Sequence, residues 1–201
     1  ILAQIKFKNP ESQHPYAYPR IRVKAGEVIG TVGPHSFDFQ IMNTKVKANL
    51  INPRNIDWFS VYTVDTFDYL AEPLRSELLK KNLGRPKPPG GRLSYDVRGK
   101  LAGNWFLVGR DPNDRDEYWT RNLSFTYDHL DPSQIRVSLG NFGGRPRAFG
   151  ARGNAPDPAK IGASDGLVKY ELVTFDYYSG GERWDTLHFL PDLTAKNNAD
   201  V

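Results

Sequence analysis

Four histidines are the residues of this sequence best suited to bind a metal ion or to move a proton: His14, His35, His129 and His188. A zinc site needs three or four N, O or S ligands that converge on the ion, and no H-x-H or H-E-x-x-H pair occurs. The chain has no cysteine, which excludes disulfides, thiolate zinc sites and cysteine nucleophiles. A metal centre would have to be assembled from residues distant in sequence, and hydrogen-bonded histidines in turns or strands are the alternative interpretation.

A second chemistry to consider is hydrolysis by a serine nucleophile, because one segment fits the sequence pattern of such enzymes. Residues 162–166 (GASDG) fit the G-x-S-x-G pattern, and Asp185 and His188 follow in the chain. A nucleophile elbow needs a strand before the serine and a helix after it. Here a Pro/Gly-rich loop precedes the serine and a strand-like run follows it, so we interpret this segment as a glycine-rich turn.

A segment near the N-terminus carries a more extended pattern. Residues 23–33 have the sequence VKAGEVIGTVG and are followed in 34–41 by PHSFDFQI. The segment resembles lysostaphin-type zinc metallopeptidases, in which a V-K-A-G-x-V-I-G turn leads to a strand bearing H-x-H and then F-E-[VI]. The resemblance covers about residues 20–56 and includes the stretch VKANLINP in 46–53.

This resemblance implies an antiparallel β-sheet and makes His35 and Asp38 the candidate catalytic residues and zinc ligands. His129, in the segment YDHL, is a third catalytic candidate, since these peptidases often carry a similar Tyr-x-His-Leu segment. His35 and Asp38 are three residues apart, however, and an undistorted strand would point them to opposite faces. We therefore predict a non-catalytic protein that keeps the peptidase scaffold without a cofactor. A zinc-dependent peptidase or hydrolase is the alternative.

Aromatic residues supply the candidate binding surfaces. Residues 103–105 (GNW) resemble the G-x-W motif that opens the first strand of lipocalins, so a lipocalin-like carrier of a small ligand is a further alternative. Trp119, Tyr177 and Tyr178 fall in aromatic clusters that could contact a sugar ring or a protein partner. Within a strand such side chains fill the core instead, and this is the alternative interpretation of Trp105.

The composition limits the class of protein. Of the 201 residues, 39% are hydrophobic and 12% aromatic, which describes a folded chain rather than a disordered one. No apolar run reaches the length of about 18 residues that a transmembrane helix needs. Residues 1–91 contain 13 basic and 8 acidic side chains, and residues 92–201 contain 14 and 15. We expect the basic half to face an anionic partner such as a membrane surface or an acidic polymer, and we expect no binding of nucleic acid.

The first residue is Ile1 rather than Met. Removal of a signal peptide would explain this start, and so would a longer chain of which this is a part. Together with the resemblance to the peptidases, it leads us to expect a periplasmic or extracellular protein. Its partner would be another protein or an envelope polymer.

Strand patterns dominate, and 18 glycines and 15 prolines favour many turns. Pro73 and Gly84 bound one predicted helix, at 73–83. The predicted fold is all-β, with a peptidase-like region at 1–84, a Pro/Gly linker at 85–91 and an antiparallel β-sandwich or barrel at 92–201. Strands are expected at 1–7, 20–24, 28–33, 36–41, 57–63, 101–108, 122–127, 135–139 and 167–175, with a loop at 141–165 and a polar tail at 194–201.

Overall fold

The computed structural model describes residues 6, 8, 11, 17–18, 20–31, 38–84, 87–109, 111, 120–184 and 194–198. Contacts divide the chain into two compact units, Ile1–Phe39 and Gln40–Val201. The predicted linker at 85–91 lies within the second unit. The helices and strands that the structure describes also belong to the second unit, and they form the predicted all-β fold, with two short α-helices where one was predicted.

In the first unit, the V-K-A-G segment forms a tight turn. Gly26 has a φ of 79°, a left-handed conformation that glycine adopts without steric cost. The strands predicted at 20–24 and 28–33 are wrong over their described residues, which have no strand structure. The physical reason is exposure: Val28 is 79% exposed, so the alternating apolar side chains do not pack into a sheet face. The strand predicted at 1–7 lies outside the described residues apart from Lys6.

The second unit contains the α-helices and 3-10 helices that the structure describes. Its α-helices are α1 at Trp58–Tyr62 and α2 at Leu74–Lys81, and shorter 3-10 helices lie at Pro53–Asn55, Thr66–Tyr69, Arg152–Asn154 and Ala163–Asp165. The second α-helix confirms the one predicted at 73–83. The first replaces the strand predicted at 57–63, which is wrong because Asp57 caps a helix here. Its carboxylate accepts the backbone N–H of Ser60 at 2.9 Å and the Ser60 hydroxyl at 2.7 Å.

Eight strands form two antiparallel sheets in the described part of the chain. The strands are β1 Gly103–Phe106, β2 Asn122–Tyr127, β3 Ile135–Leu139, β4 Arg147–Ala151, β5 Leu172–Val173, β6 Phe175–Ser179, β7 Glu182–Arg183 and β8 Thr194–Asn197. The first sheet has the order β1-β2-β3-β4-β5, and the second has the order β7-β6-β8. The eight strands are thus divided between two sheets instead of forming the single eight-stranded barrel of a lipocalin.

The first sheet separates apolar from polar residues because side chains alternate along each strand. Ile135 and Val137 of β3 are each 2% exposed, and Phe125 of β2 packs against them. The alternate positions are polar, and Ser124 of β2 lies opposite Ser138 of β3. One face of the sheet therefore forms the core of the unit, and the other is a polar face.

The second sheet packs on one part of that polar face. The guanidinium of Arg136 in β3 lies 3.8 Å from the ring centroid of Phe175 in β6. The side chain of Asn197 in β8 lies against Gly150 of β4. Only Thr174 separates β5 from β6, so the chain passes directly from one sheet to the other. The site described below lies on the rest of the polar face.

Four further sequence predictions are corrected here. The predicted loop at 141–165 contains β4, and the predicted polar tail at 194–201 contains β8, whose residues are held in sheets by backbone pairing. The strand predicted at 167–175 is formed only by the two residues of β5 and by the first residue of β6. The strand predicted at 36–41 is absent over its described residues, 38–41.

Candidate binding groove

The polar face of the first sheet carries a row of three short polar side chains. Asn104 of β1 lies opposite Ser124 of β2, which in turn lies opposite Ser138 of β3. Directly opposed residues of antiparallel strands are about 4.5–5.5 Å apart, so the row crosses three strands over a short distance. Two cavities lie along this row.

The first cavity has a volume of about 580 Å³. Its walls come from β1, β2 and three segments that precede β1 in the chain, at 48–49, 63–65 and 90–95. The acidic, basic and histidine side chains in its lining are Asp65, Arg92 and His129. The other lining groups include several hydroxyls, the amides of Asn49 and Asn104 and the backbone of three glycines, which can form hydrogen bonds with a polar ligand.

The second cavity has a volume of about 400 Å³ and is lined by Trp105, Leu139 and Arg147, among others. The indole N–H of Trp105 donates to the carbonyl of Leu101 at 2.7 Å, which fixes the orientation of the ring. Trp105 is 46% exposed, so its interpretation as a core residue is wrong. Trp105 lies opposite Leu123 of β2, so its ring is on the apolar face of the sheet. The aromatic side chain that the polar face presents at this cavity is that of Phe106.

Asn104 and Ser124 line both cavities. The two cavities therefore adjoin and form one elongated depression along the polar face, which we call the groove. It lies entirely within the second unit. An elongated depression fits a chain-like ligand better than a compact one.

Asp96 holds the middle of the groove in place. Its Oδ1 accepts the backbone N–H and the side-chain N–H of Asn104, both at 3.0 Å, while Oδ2 accepts the N–H of Ile51 at 2.8 Å. Gly103 has a φ of 130°, and a Cβ added there would lie 2.8 Å from Cα of Asp96. The G-x-W motif therefore needs glycine at position 103, because the backbone of Asp96 leaves no room there for a side chain.

Two tyrosines form an aromatic pair in the first cavity. The ring centroids of Tyr95 and Tyr127 are 5.3 Å apart and the rings meet edge to face. The hydroxyl of Tyr127 donates to the Asp157 carboxylate. Burial, reinforced by this hydrogen bond, raises the pKa of Tyr127, and the same bond lowers the pKa of Asp157. Tyr127 is therefore protonated and engaged within the protein, which makes it part of the rigid wall.

Other hydroxyls of the groove are open to a ligand. Within the described residues, the side-chain oxygens of Ser124, Thr126, Ser138 and Tyr95 have no hydrogen-bond partner. All four are partly buried, so their contact with bulk water is restricted. Half-buried donors and acceptors without protein partners are the groups that a ligand with hydroxyl or amide groups can satisfy.

A buried polar network lies at the end of the groove that His129 lines. Asp128 Oδ2 accepts Arg136 Nε at 2.9 Å and the hydroxyl of Tyr177 at 2.7 Å, and Arg136 Nη1 donates to Asn197 Oδ1 at 3.2 Å. The ring of His129 meets the ring of Tyr177 edge to face, at a centroid distance of 6.2 Å. This network joins the two sheets and so fixes the position of His129.

The structure brings some of the sequence-predicted residues to the groove and places others elsewhere. His129 lines the first cavity, and Trp105 borders the second with its ring on the opposite, apolar face of the sheet. His35 and Trp119 lie outside the described residues. Asp38 is an exposed residue of the first unit.

The two predicted binding tyrosines of β6 have structural contacts. Tyr177 belongs to the buried network, and burial followed by the hydrogen bond to Asp128 raises its pKa. The ring of Tyr178 lies 5.1 Å from the ammonium group of Lys196. Neither tyrosine lines the groove.

In the part of the chain that the structure describes, no group of three or more His, Cys, Asp or Glu side chains could hold a metal ion. No helix there is long and apolar enough to cross a membrane. Comparison of the chain with protein-family models, with curated proteins and with solved structures finds no match. The chemistry of the groove is therefore the basis for a functional conclusion.

Sequence reasoning missed the residues that form most of the groove. Arg92, Tyr95 and Asp96 follow the Pro/Gly stretch in a segment without periodicity, and nothing local indicates that they approach β1. The alternation of Ser124 and Thr126 with apolar residues was the available signal. It predicts a polar face on β2, although not what lies above that face.

Proposed function

We propose that this chain is a non-catalytic binding protein of the cell envelope, which holds a glycan strand in the groove. In this proposal it keeps the scaffold of a degenerate lysostaphin-type peptidase, and it works in the periplasm or outside the cell. The observation that carries the proposal is the junction of two cavities at Asn104 and Ser124. A site of about 580 Å³ adjoining one of about 400 Å³ has room for more than one sugar ring.

The groups in the groove suit sugars. A sugar presents hydroxyls around its edge and C–H bonds on its faces, so it needs hydrogen-bonding groups next to flat apolar surfaces. Ser124, Thr126 and Ser138 supply the first kind of group. Tyr95 in one cavity and Phe106 in the other supply the second, each with few rotatable bonds to immobilise on binding.

The state of the acidic groups supports a binding role. Asp65 is the carboxylate of the groove lining, and its two oxygens accept the N–H groups of Phe67, at 2.9 Å, and Gly90, at 3.1 Å. A carboxylate that holds the protein backbone in this way is poorly placed to act as a general acid or base as well. In the proposal, Asp65 shapes the wall of the groove and takes no part in chemistry.

Calorimetric titration with defined glycans tests the proposal. The purified chain is titrated with soluble glycan strands released from peptidoglycan and with chitohexaose. Phe106→Ala and Tyr95→Ala should each weaken binding about tenfold, because each removes a contact of about 1–1.5 kcal/mol. Phe59→Ala is the matched control, since Phe59 is an exposed phenylalanine of α1 that does not line the groove.

Two results would overturn the proposal. One is the absence of binding to either glycan at millimolar concentration in a folded protein. The other is the release of peptides or reducing ends from peptidoglycan when zinc is added, which would favour the peptidase alternative. Copurification with a small apolar ligand would instead support a carrier.

A further inference from the structure

The tight turn of the first unit, at 24–27, is exposed over its whole length. A backbone hydrogen bond from the N–H of Glu27 to the carbonyl of Lys24, at 3.0 Å, closes the turn, and the Glu27 carboxylate accepts the N–H of Lys24 at 2.8 Å. All residues at 22–31 are exposed, and a Cβ added at Gly26 would meet nothing within 4 Å. The turn is therefore held by its own hydrogen bonds, and its side chains are open to solvent.

Apolar side chains flank this turn on both sides. Val23 precedes it and is 53% exposed, while Val28 and Ile29 follow it and are 79% and 55% exposed. The first and last residues of a tight turn lie within about 7 Å of each other, so the residues that flank it are also close together. Exposure of three neighbouring branched apolar side chains to water is unfavourable. An apolar medium that covers them would stabilise the arrangement.

Basic side chains lie next to the apolar ones in the chain. Arg20, Arg22 and Lys24 are exposed, and none of them belongs to a salt bridge that the described residues form with one another. Glu27 is the only acidic residue at 20–31, and its carboxylate is engaged by the backbone of the turn. Three basic side chains against one acidic side chain give the segment a positive charge, which attracts an anionic surface.

We propose that this turn binds the surface of an anionic lipid bilayer. Val23, Val28 and Ile29 enter the boundary between headgroups and acyl chains, and the three cations lie among the lipid phosphates. Binding of this kind grows with the apolar area that is buried and with the attraction to anionic lipids. A soluble acidic polymer would satisfy the cations but has no apolar layer for the other three side chains. The inference goes beyond the proposed function, because it does not involve the groove.

Sedimentation of the whole chain with lipid vesicles tests the inference. One set of vesicles contains phosphatidylglycerol and phosphatidylcholine in equal parts, and the other contains phosphatidylcholine alone. We expect binding to the anionic vesicles to be tighter by at least about tenfold, since each basic side chain near such a surface contributes about fivefold, the equivalent of about 1 kcal/mol. Arg22→Gln should weaken binding to the anionic vesicles about fivefold and leave binding to the neutral vesicles unchanged.

A second variant tests the apolar contribution. Val28→Asn keeps the charge of the turn and should weaken binding to the anionic vesicles at least about fivefold, since it withdraws an apolar side chain from the bilayer. Val108→Asn is its matched control, because Val108 is a valine of the second unit that is 96% exposed. Arg98→Gln is the matched control for Arg22→Gln, because Arg98 is an exposed arginine of the second unit. Neither control should change the binding.

Failure of the folded chain to sediment with either kind of vesicle would overturn the inference. In that case, binding to soluble poly(glutamate) would assign the basic residues to an acidic polymer instead. Equal binding to the two kinds of vesicle, or unchanged binding in Val28→Asn, would also overturn it. Each of these results would leave the proposed binding of glycans standing, since that is measured at the groove.

Discussion

Arg136 Nε lies 2.9 Å from Asp128 Oδ2, and both side chains are withdrawn from solvent, with 6% and 1% exposed. Because the charges are buried, each depends on the other and on the hydrogen bonds around them. Tyr177 from β6 and Asn197 from β8 supply further hydrogen bonds. The pair therefore connects the sheet that carries the groove with the sheet that covers its end.

Asp128→Asn should lower the free energy of unfolding by about 3–5 kcal/mol, because it leaves the Arg136 charge buried without its partner. Urea denaturation measures this change. Asp176→Asn is the control: it breaks the pair with Arg183, which is 71% exposed, and should cost about 0–1 kcal/mol. Equal losses of unfolding free energy in the two variants would show that burial does not make the Asp128–Arg136 pair more important for stability than an exposed pair.

The stability of the protein should fall in acid, partly through Asp128. Burial alone would raise the pKa of Asp128, but hydrogen bonds from Asp131 and Tyr177 and the charge of Arg136 outweigh it, and the pKa lies below the ordinary value of 3.8. A carboxyl whose pKa is lower in the folded state stabilises the protein above a pH of about 4. That contribution is lost as the pH falls further, towards the folded-state pKa. Denaturation curves from pH 7 to pH 2 should show a smaller acid effect in Asp128→Asn than in the unmodified chain, and an equal effect would rule out this role.

Gly150→Ala should destabilise the protein by about 1–3 kcal/mol through overpacking. The added Cβ would lie 2.6 Å from Cγ of Asn197, so either the side chain or the strand must move. Gly30→Ala is the control, because nothing lies within 4 Å of the added atom there. Thermal unfolding should also show that Asn197→Ala costs less in the Gly150→Ala background than alone. Additive losses would argue against the contact.

Tyr127→Phe should raise the pKa of Asp157 towards its ordinary value of 3.8. The hydrogen bond from Tyr127 is the main cause of the lowered pKa, and phenylalanine cannot donate it. NMR titration of the carboxyl carbon measures the change. Tyr170→Phe is the control, since the Tyr170 hydroxyl donates to the carbonyl of Pro156 instead. An unchanged Asp157 pKa in Tyr127→Phe would show that another group lowers it.

The strands that the sequence predicts most accurately are those with a complete alternating pattern. β2 and β3 were predicted with their observed bounds, Asn122–Tyr127 and Ile135–Leu139, because one face of each is apolar over its length. The helix at Leu74–Lys81 follows from its bounding proline and glycine.

The rest depends on contacts between distant residues. β8 has a polar sequence, and it is a strand because Asn197, which is 1% exposed, bonds to Arg136 and to the carbonyl of Ala151. Trp58–Tyr62 is rich in aromatic residues, as strands often are, but the Asp57 cap makes it helical. The groove joins residues near position 92 to β1 and β2, and no local pattern encodes that meeting.

The position of Asn197 in the chain has a consequence for biosynthesis. The strands of the first sheet are complete once residue 173 has left the ribosome, but the carboxamide of Asn197, which accepts a hydrogen bond from Arg136, leaves later. Until then the guanidinium lacks one of its acceptors, and the end of the polar face is uncovered. The mature arrangement of this surface is therefore reached only when synthesis has passed position 197.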